Sequence, residues 1–321
     1  MRAVRFHEHG GSDVLQVDEI DQPALEPKSV VVEVEAAGVN PVDTYFREGA
    51  KKPATMPAIP GIDFAGTVAE VDESIERFEP GDRVFGTGVG GAVQQGSYAE
   101  YVTAPGDRLV RLPDGIDVTS AGGAGVVGVT AWRALIHHAE LRPSEWCLVH
   151  GGSGGVGHVA VQLAAATSAR VITTAAPEYH DQLSELGADT VLDYDRSDLA
   201  DAVVDASGGG VDVVLDHRLD DYLQFDAEVA ATGARVVGIG ENDPVIGFTD
   251  DGVARSKDLT YSFMSMFNTP DFRVPLRGIA RLLADGAISC EVKRTYDLEE
   301  AALAHDDVMT ESFLGKFVIV P

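Results

Sequence analysis

The sequence predicts an α/β protein of two domains, one a doubly wound parallel sheet and the other an all-β, barrel-like body. Three observations predict it. A short apolar run at residues 146–149 breaks into Gly151-Gly-Ser-Gly-Gly-Val-Gly157, then continues with apolar residues at Val156, Val159, Ala160 and Leu163, the period of a helix. Beyond this turn, residues 170–174, 190–194, 211–216, 235–239 and 259–267 read as strands separated by helical or polar stretches; with 147–149 they make six, the number expected of two mononucleotide-binding halves. Before it, residues 14–17, 30–34, 65–71, 83–86 and 98–103 read as short strands broken at close intervals by Pro, Gly and Asp turns.

The length of 321 residues suits two domains. The expected divisions are 1–118 for the β-rich domain, 119–267 for the parallel sheet and 268–321 for a closing segment. That segment reads as a helix at 274–284, a strand at 291–296, a helix at 298–309 and a strand at 316–320. The parallel sheet already has its six strands, so the tail is expected to return to the first domain. No internal repeat or low-complexity segment interrupts the chain.

In the glycine turn, Gly152, Gly154 and Gly157 fall in the G-x-G-x-x-G register. Each has a physical reason to be glycine, in turn a tight turn, close backbone approach to a pyrophosphate, and close helix-to-strand packing. The helix that follows presents unpaired N–H groups and the positive end of its dipole, an anion site that needs no basic side chain.

Composition narrows the function. The formal net charge is −28, from 52 acidic against 24 basic residues, of which only six are Lys. Such a surface repels nucleic acid and anionic membranes. The charges are spread through every segment, which reads as a solvated acidic surface adapted to a salt-rich cytoplasm, that of a halophile; at molar salt the Debye length shrinks to about 3 Å. Two cysteines, Cys147 and Cys290, cannot make a disulfide framework, and the charged N-terminus lacks an apolar signal core. A soluble, cytoplasmic protein is expected.

Six runs, in order, carry a family resemblance: Ala37-Gly-Val-Asn-Pro-Val-Asp-Thr-Tyr45, Pro60-Gly-Ile-Asp-Phe-Ala-Gly66, Gly81-Asp-Arg-Val-Phe85, Gly96-Ser-Tyr-Ala-Glu-Tyr101, Thr130-Ala-Trp-Arg-Ala-Leu135 and Val149-His-Gly-Gly-Ser-Gly-Gly-Val-Gly157. Together with the closing Gly315-Lys-Phe-Val-Ile-Val-Pro321, they resemble the medium-chain dehydrogenase/reductase superfamily, in its zinc-free quinone oxidoreductase and zeta-crystallin branch. The resemblance implies a GroES-like catalytic domain and a Rossmann domain. It also implies hydride transfer from NAD(P)H to a quinone or an α,β-unsaturated carbonyl.

A catalytic zinc needs about three Cys, His or acidic ligands and a structural zinc usually four, mostly Cys. Neither cysteine lies in a Cys-x-x-Cys pair, and by resemblance the positions of the catalytic zinc ligands hold Asn40, Ile62 and Val126. No metal is expected, so carbonyl polarisation falls to hydrogen-bond donors. The resemblance places Asn40, Tyr45 and Thr130 along the nicotinamide and substrate pocket as the catalytic candidates. Each also has a plain reading: Asn40 as a turn residue before Pro41, Tyr45 as a packing aromatic, Thr130 as the cap at the head of a helix. Asp43 reads as a structural hydrogen-bonder and His150 as a packed core histidine. His137 and His138 read as surface residues of a helix, and Asp216-His217-Arg218 as either cofactor-proximal or a solvated turn.

The cofactor-binding set is Gly152, Ser153, Gly154, Gly155, Val156 and Gly157 in the turn, with Thr174, Tyr194, Gly240, Phe263, Ser265 and Lys316. Ala175 stands where NAD-preferring proteins carry an acidic residue, so nothing repels a 2′-phosphate. NADP(H) is favoured, with NAD(H) the alternative. The apolar strand at 259–267 would be an exposed sheet edge, which predicts a homodimer through it. The competing functional reading is a non-catalytic NADPH-binding protein, structural or nucleic-acid-binding as in zeta-crystallin relatives, and the acidic composition opposes its nucleic-acid form. A short-chain dehydrogenase needs Tyr-x-x-x-Lys, which no tyrosine here provides.

Overall fold

The computed structural model describes residues 1–90 and 95–321. In chain order its first elements are β1 (Arg2–Arg5), β2 (Gln16–Glu19), β3 (Ser29–Val39), α1 (Pro41–Glu48), β4 (Phe64–Val71), β5 (Arg83–Gly86), β6 (Tyr101–Pro105), β7 (Leu109–Arg111) and α2 (Val118–Trp132). There follow β8 (Trp146–Val149), α3 (Gly155–Ala166), β9 (Arg170–Thr174), α4 (His180–Glu185), β10 (Thr190–Leu192), α5 (Leu199–Ser207), β11 (Val211–Asp216), α6 (Leu219–Val229), β12 (Ala230–Gly238), α7 (Asp251–Ser256) and β13 (Thr260–Phe263). The chain closes with α8 (Arg273–Ala284), β14 (Val292–Asp297), α9 (Ala301–Thr310) and β15 (Lys316–Val320). Two compact units result: Met1–Val127 with Pro270–Pro321, and Gly128–Thr269.

In the first unit β3 is the spine. Its residues Val30–Ala36 pair antiparallel with β4, while its other edge is shared, Ser29–Glu33 with β6 and Ala37–Val39 with β15. The sheet runs β14-β15-β3-β4-β5-β7. The C-terminal strands thus complete the sheet that the N-terminal strands begin. Inward-facing Val30, Val32, Phe64, Tyr98, Tyr296 and Phe317 form one core.

The second unit is a six-stranded sheet, β10-β9-β8-β11-β12-β13, every pair parallel. Its strand order reverses between β8 and β11, and in such sheets ligands bind outside the carboxyl ends of the strands at that reversal. Leu148, Ile172, Val214 and Val236 anchor its core.

Differences from expectation have local causes. The glycine-rich, apolar residues 121–132 lie in α2, a helix that its glycines obscure, since each costs about 1 kcal/mol of helix propensity relative to Ala. They serve packing: a β-carbon at Gly122 would lie 2.6 Å from Ala36 Cβ, and one at Gly125 would lie 2.5 Å from Asp63 Oδ1. Thr130 accordingly sits in the last turn of α2, not at the head of a helix. The helix then runs into a π-helical turn, Arg133–His138, which leaves His137 exposed. In the N-terminal ribbon the register with β1, Arg5 opposite Gln16 and Arg2 opposite Glu19, moves the expected strand at 14–17 to Gln16–Glu19. The last parallel strand is shorter than the apolar run suggested, because residues Met266–Asn268 close into a 3-10 turn.

Candidate active site

The glycine turn is built by backbone crossing. The N–H of Gly152 donates to Thr174 O at 2.8 Å and that of Gly151 to Thr174 Oγ1 at 3.1 Å, tying the turn to the end of β9. Added β-carbons show what the glycines permit: at Gly152 one would lie 2.1 Å from Thr173 Oγ1, and at Gly157 one would lie 2.1 Å from Gly151 O. No side chain fits at either place. At Gly154 only Gly151 O approaches, at 3.3 Å, so that side of the turn is open. Gly154 caps α3 in extended conformation, and neither end of α3 carries a charged residue. The amides of Gly155, Val156 and Gly157 therefore lie in the first helical turn, where N–H groups lack i−4 acceptors and favour an anion.

Around this turn the expected cofactor residues fall as follows. Thr174 is buried with its hydroxyl on the turn, Tyr194 is half-exposed beyond β10, and Phe263, 65% exposed, ends β13 with Ser265 exposed after it. A β-carbon on Gly240 would lie 2.8 Å from His217 O, so this glycine too lets two backbones meet. Ala175 is buried, and its backbone O meets His180 Nε2 at 3.1 Å. Thr130 is buried in this same unit. His150 is the packed histidine expected, its ring stacked on Tyr222 at 4.3 Å and its Nε2 at 2.8 Å from Asp226 Oδ1. Asp216-His217-Arg218 divides, with Asp216 fully buried and the other two exposed.

The first unit holds a buried polar network around Asn40, the residue that precedes α1. Asn40 is 2% exposed. Its Nδ2 donates to Asp63 Oδ2 at 3.0 Å and to Gly38 O at 3.3 Å, and its Oδ1 accepts from Lys316 Nζ at 2.7 Å. The amide expected to face substrate is thus bonded at every hydrogen. Asp43 reaches back from the third helical position to the Asn40 N–H at 2.9 Å, as helix-capping carboxylates do, and also accepts from Tyr98 OH at 3.1 Å. Asp63 Oδ1 accepts from Val126 N at 2.6 Å. Lys316, expected beside the cofactor, is 3% exposed and turned inward, donating to Val39 O at 2.5 Å as well as to Asn40.

Burial dominates the electrostatics here. It pushes Asp43 up to about 7 and Asp63 up to about 6, the latter against the nearby Lys316 charge, and it lowers Lys316. Tyr45 is half-buried on α1, its backbone O accepting from Lys51 N at 3.0 Å. Sequence reasoning missed Asp63 and Lys316 as partners of Asn40 and Tyr98 as a partner of Asp43, since 23, 276 and 55 positions separate the pairs and no local pattern links them. Asp226 did leave a signal: it falls on the apolar stripe of α6 with Leu219, Leu223 and Ala227.

A doubly wound sheet with a glycine turn at its reversal, joined to a β-rich unit that the chain's end completes, defines a dinucleotide-dependent dehydrogenase or reductase architecture. The comparisons agree. Residues 26–114 match the alcohol dehydrogenase GroES-like domain family, and residues 186–319 match the zinc-binding dehydrogenase family. The quinone oxidoreductase of Mus musculus is 33% identical over 100% of this chain and 98% of its own. Among solved structures, an NAD-dependent alcohol dehydrogenase superposes with TM-score 0.93 at 28% identity, and the Escherichia coli quinone oxidoreductase complexed with NADPH with TM-score 0.89 at 27% identity; each match covers 100% of both chains. The chain belongs to the quinone oxidoreductase branch of the medium-chain dehydrogenase/reductase superfamily.

One of the matched families is named for zinc. Among the described residues no group of three or more His, Cys, Asp or Glu is gathered to hold a metal. Both thiols, Cys147 and Cys290, are buried, which pushes them up to about 12.

Asn40→Ala strips a partner from Lys316 and from Asp63 at once, leaving two buried ionisable groups poorly paired. The expected loss of stability is about 3–5 kcal/mol, measured as a lowered midpoint in denaturant; a loss below about 1 kcal/mol contradicts the network's structural weight.

Proposed function

We propose that this chain is an NADPH-dependent oxidoreductase that delivers hydride to a quinone or an α,β-unsaturated carbonyl, without a metal. The observation that carries the reading is the glycine cradle at the sheet reversal, where two β-carbons would collide and one side stays open. The bound nicotinamide supplies the hydride. The chain's own part is to hold, orient and polarise.

In this reading the amides of residues 154–157 bind the diphosphate, with Gly152 and Ser153 shaping the turn. Thr174 and Tyr194 flank the adenosine 2′-phosphate, and the small Ala175 removes the carboxylate that would repel it. Gly240, Phe263 and Ser265 border the nicotinamide. The hydroxyls of Tyr45 and Thr130 donate to the acceptor oxygen as negative charge gathers there. Asn40 can join them only by giving up its 3.3 Å bond to Gly38 O, and Lys316 acts by holding Asn40. A quinone or enone is already electrophilic, so hydrogen bonds suffice where a plain ketone needs a stronger acid; one well-placed donor is worth on the order of 3 kcal/mol.

The acidic, Lys-poor surface supports a cytoplasm rich in salt as the working medium. β13 has β12 as its neighbour at the sheet's end, which supports a homodimer through that edge. The non-catalytic alternative has no observation in its favour.

Two outcomes are expected. Protein stripped with EDTA and shown metal-free by elemental analysis should still oxidise NADPH with a simple quinone; activity that returns only with zinc would overturn the proposal. Wild type should show higher kcat/KM with NADPH than with NADH, and Ala175→Asp should reverse that order through repulsion of the 2′-phosphate. A wild type that prefers NADH contradicts this assignment of the strand end.

A further inference from the structure

Directly behind the glycine turn lies a buried acid cluster that the proposed chemistry does not use. Asp216 ends β11, Asp226 comes from α6, and His150 follows β8 and precedes Gly151. Both carboxyls are 0% exposed. One oxygen of each is occupied: Asp216 Oδ1 accepts from Arg218 N at 2.7 Å, and Asp226 Oδ1 meets His150 Nε2 at 2.8 Å. The other two, Asp216 Oδ2 and Asp226 Oδ2, are buried without a hydrogen-bond partner, and the backbone N–H of His150, whose ring meets Asp226, donates to Leu215 O at 3.1 Å, next to Asp216. Ionised carboxylates only accept, so these two buried oxygens can satisfy each other only when one of the groups carries a proton. His150 does not supply the missing positive charge, because burial lowers it to about 4 and leaves it neutral.

The other groups facing the cluster do not neutralise it. Tyr222 on α6 stacks on His150, and the Tyr261 hydroxyl on β13 is buried without a partner and feels both acids. Arg218 pairs with Asp221 at the exposed start of α6. The His217 ring packs where a Gly151 β-carbon would stand, 2.7 Å from its Cε1.

We propose that Asp216 and Asp226 share one proton, and that this pair is a positioning device for the glycine turn, so that dinucleotide affinity falls when the proton leaves. The proposal rests on the reading of that turn as the dinucleotide site. Without the proton, two adjacent buried charges must part or admit water. Either response shifts His150 through Asp226 and the Asp216–His217 turn through Asp216. Those are the two flanks of Gly151.

The direction follows from linkage. Burial raises the carboxyls of this pair well above the usual value of 3.8. The native state therefore binds more protons than the unfolded state from the unfolded carboxyl value up through the raised native one, and this contribution to stability is lost as pH rises through that window. Asp43 and Asp63 in the other unit rise through part of the same range, so the informative comparison is with a variant that alters the pair alone.

Asp226→Asn provides it: the amide oxygen can accept from His150 and the amide N–H can donate to Asp216, mimicking the protonated pair. NADPH affinity and Tm would be measured for wild type and variant from pH 6 to 9. The ratio of wild-type to variant Kd should rise by at least about tenfold from pH 6 to 9, as loss of one linked proton allows, and the variant should melt above wild type at pH 9. A ratio that stays constant overturns the coupling alone, whereas absence of NADPH binding at every pH overturns the functional reading and the coupling together. Should the variant not fold, infrared titration of wild type decides: a protonated-carboxyl band present at pH 6 and gone by pH 9 supports the shared proton, and its absence at pH 6 refutes it.

Discussion

The close passage of one backbone over another at the glycine turn is the constraint on which the rest depends. Gly157 has its absent β-carbon 2.1 Å from Gly151 O, and Gly152 has its own 2.1 Å from Thr173 Oγ1. Only this crossing lets α3 start against the ends of β8 and β9 with its first amides directed outward. An anion can then be held by peptide groups alone. That matters in a chain of net charge −28, where binding a polyanionic dinucleotide through a basic patch would contradict the rest of the surface.

Both units meet the same difficulty, polar groups carried into a dry interior, with opposite solutions. Around Asn40, opposite charges face one another and a neutral amide bridges them: Lys316 on its oxygen, Asp63 on its nitrogen. Around Asp226 no cation lies among the described residues, the histidine is neutral, and the carboxyls are compatible with burial only by holding a proton. The first arrangement keeps a cation within the network as its carboxyls titrate. The second is poised to change within it, next to the turn that the fold marks as its binding site.

Much of this was legible in the sequence where a local pattern decides the structure. The strand at β8, the glycine register and the helical period after it specify their own geometry, and the closing strand at residues 316–320 alternates too little to be anything but buried. α2 was hidden because its glycines lower helix propensity while acting as contact points for Ala36 and Asp63. Thr130 was placed at the wrong end of a helix for the same reason. The role of Asn40 was half visible: its place before Pro41 suggested a turn and the family resemblance a donor, but the saturation of its amide depends on Lys316, 276 residues away, and no periodicity reports a pairing of that range. Asp226 on an apolar helix stripe is the converse case, an oddity visible in the sequence whose meaning needs the neighbouring strand.

The central claim is that the peptide groups of the glycine turn hold the dinucleotide diphosphate. Hydrogen–deuterium exchange with and without NADPH tests it most directly. Protection on NADPH addition that is strongest in peptides spanning residues 151–158, with a smaller effect at the end of β9, is the predicted result. Unchanged exchange across 151–158 under saturating NADPH would contradict it.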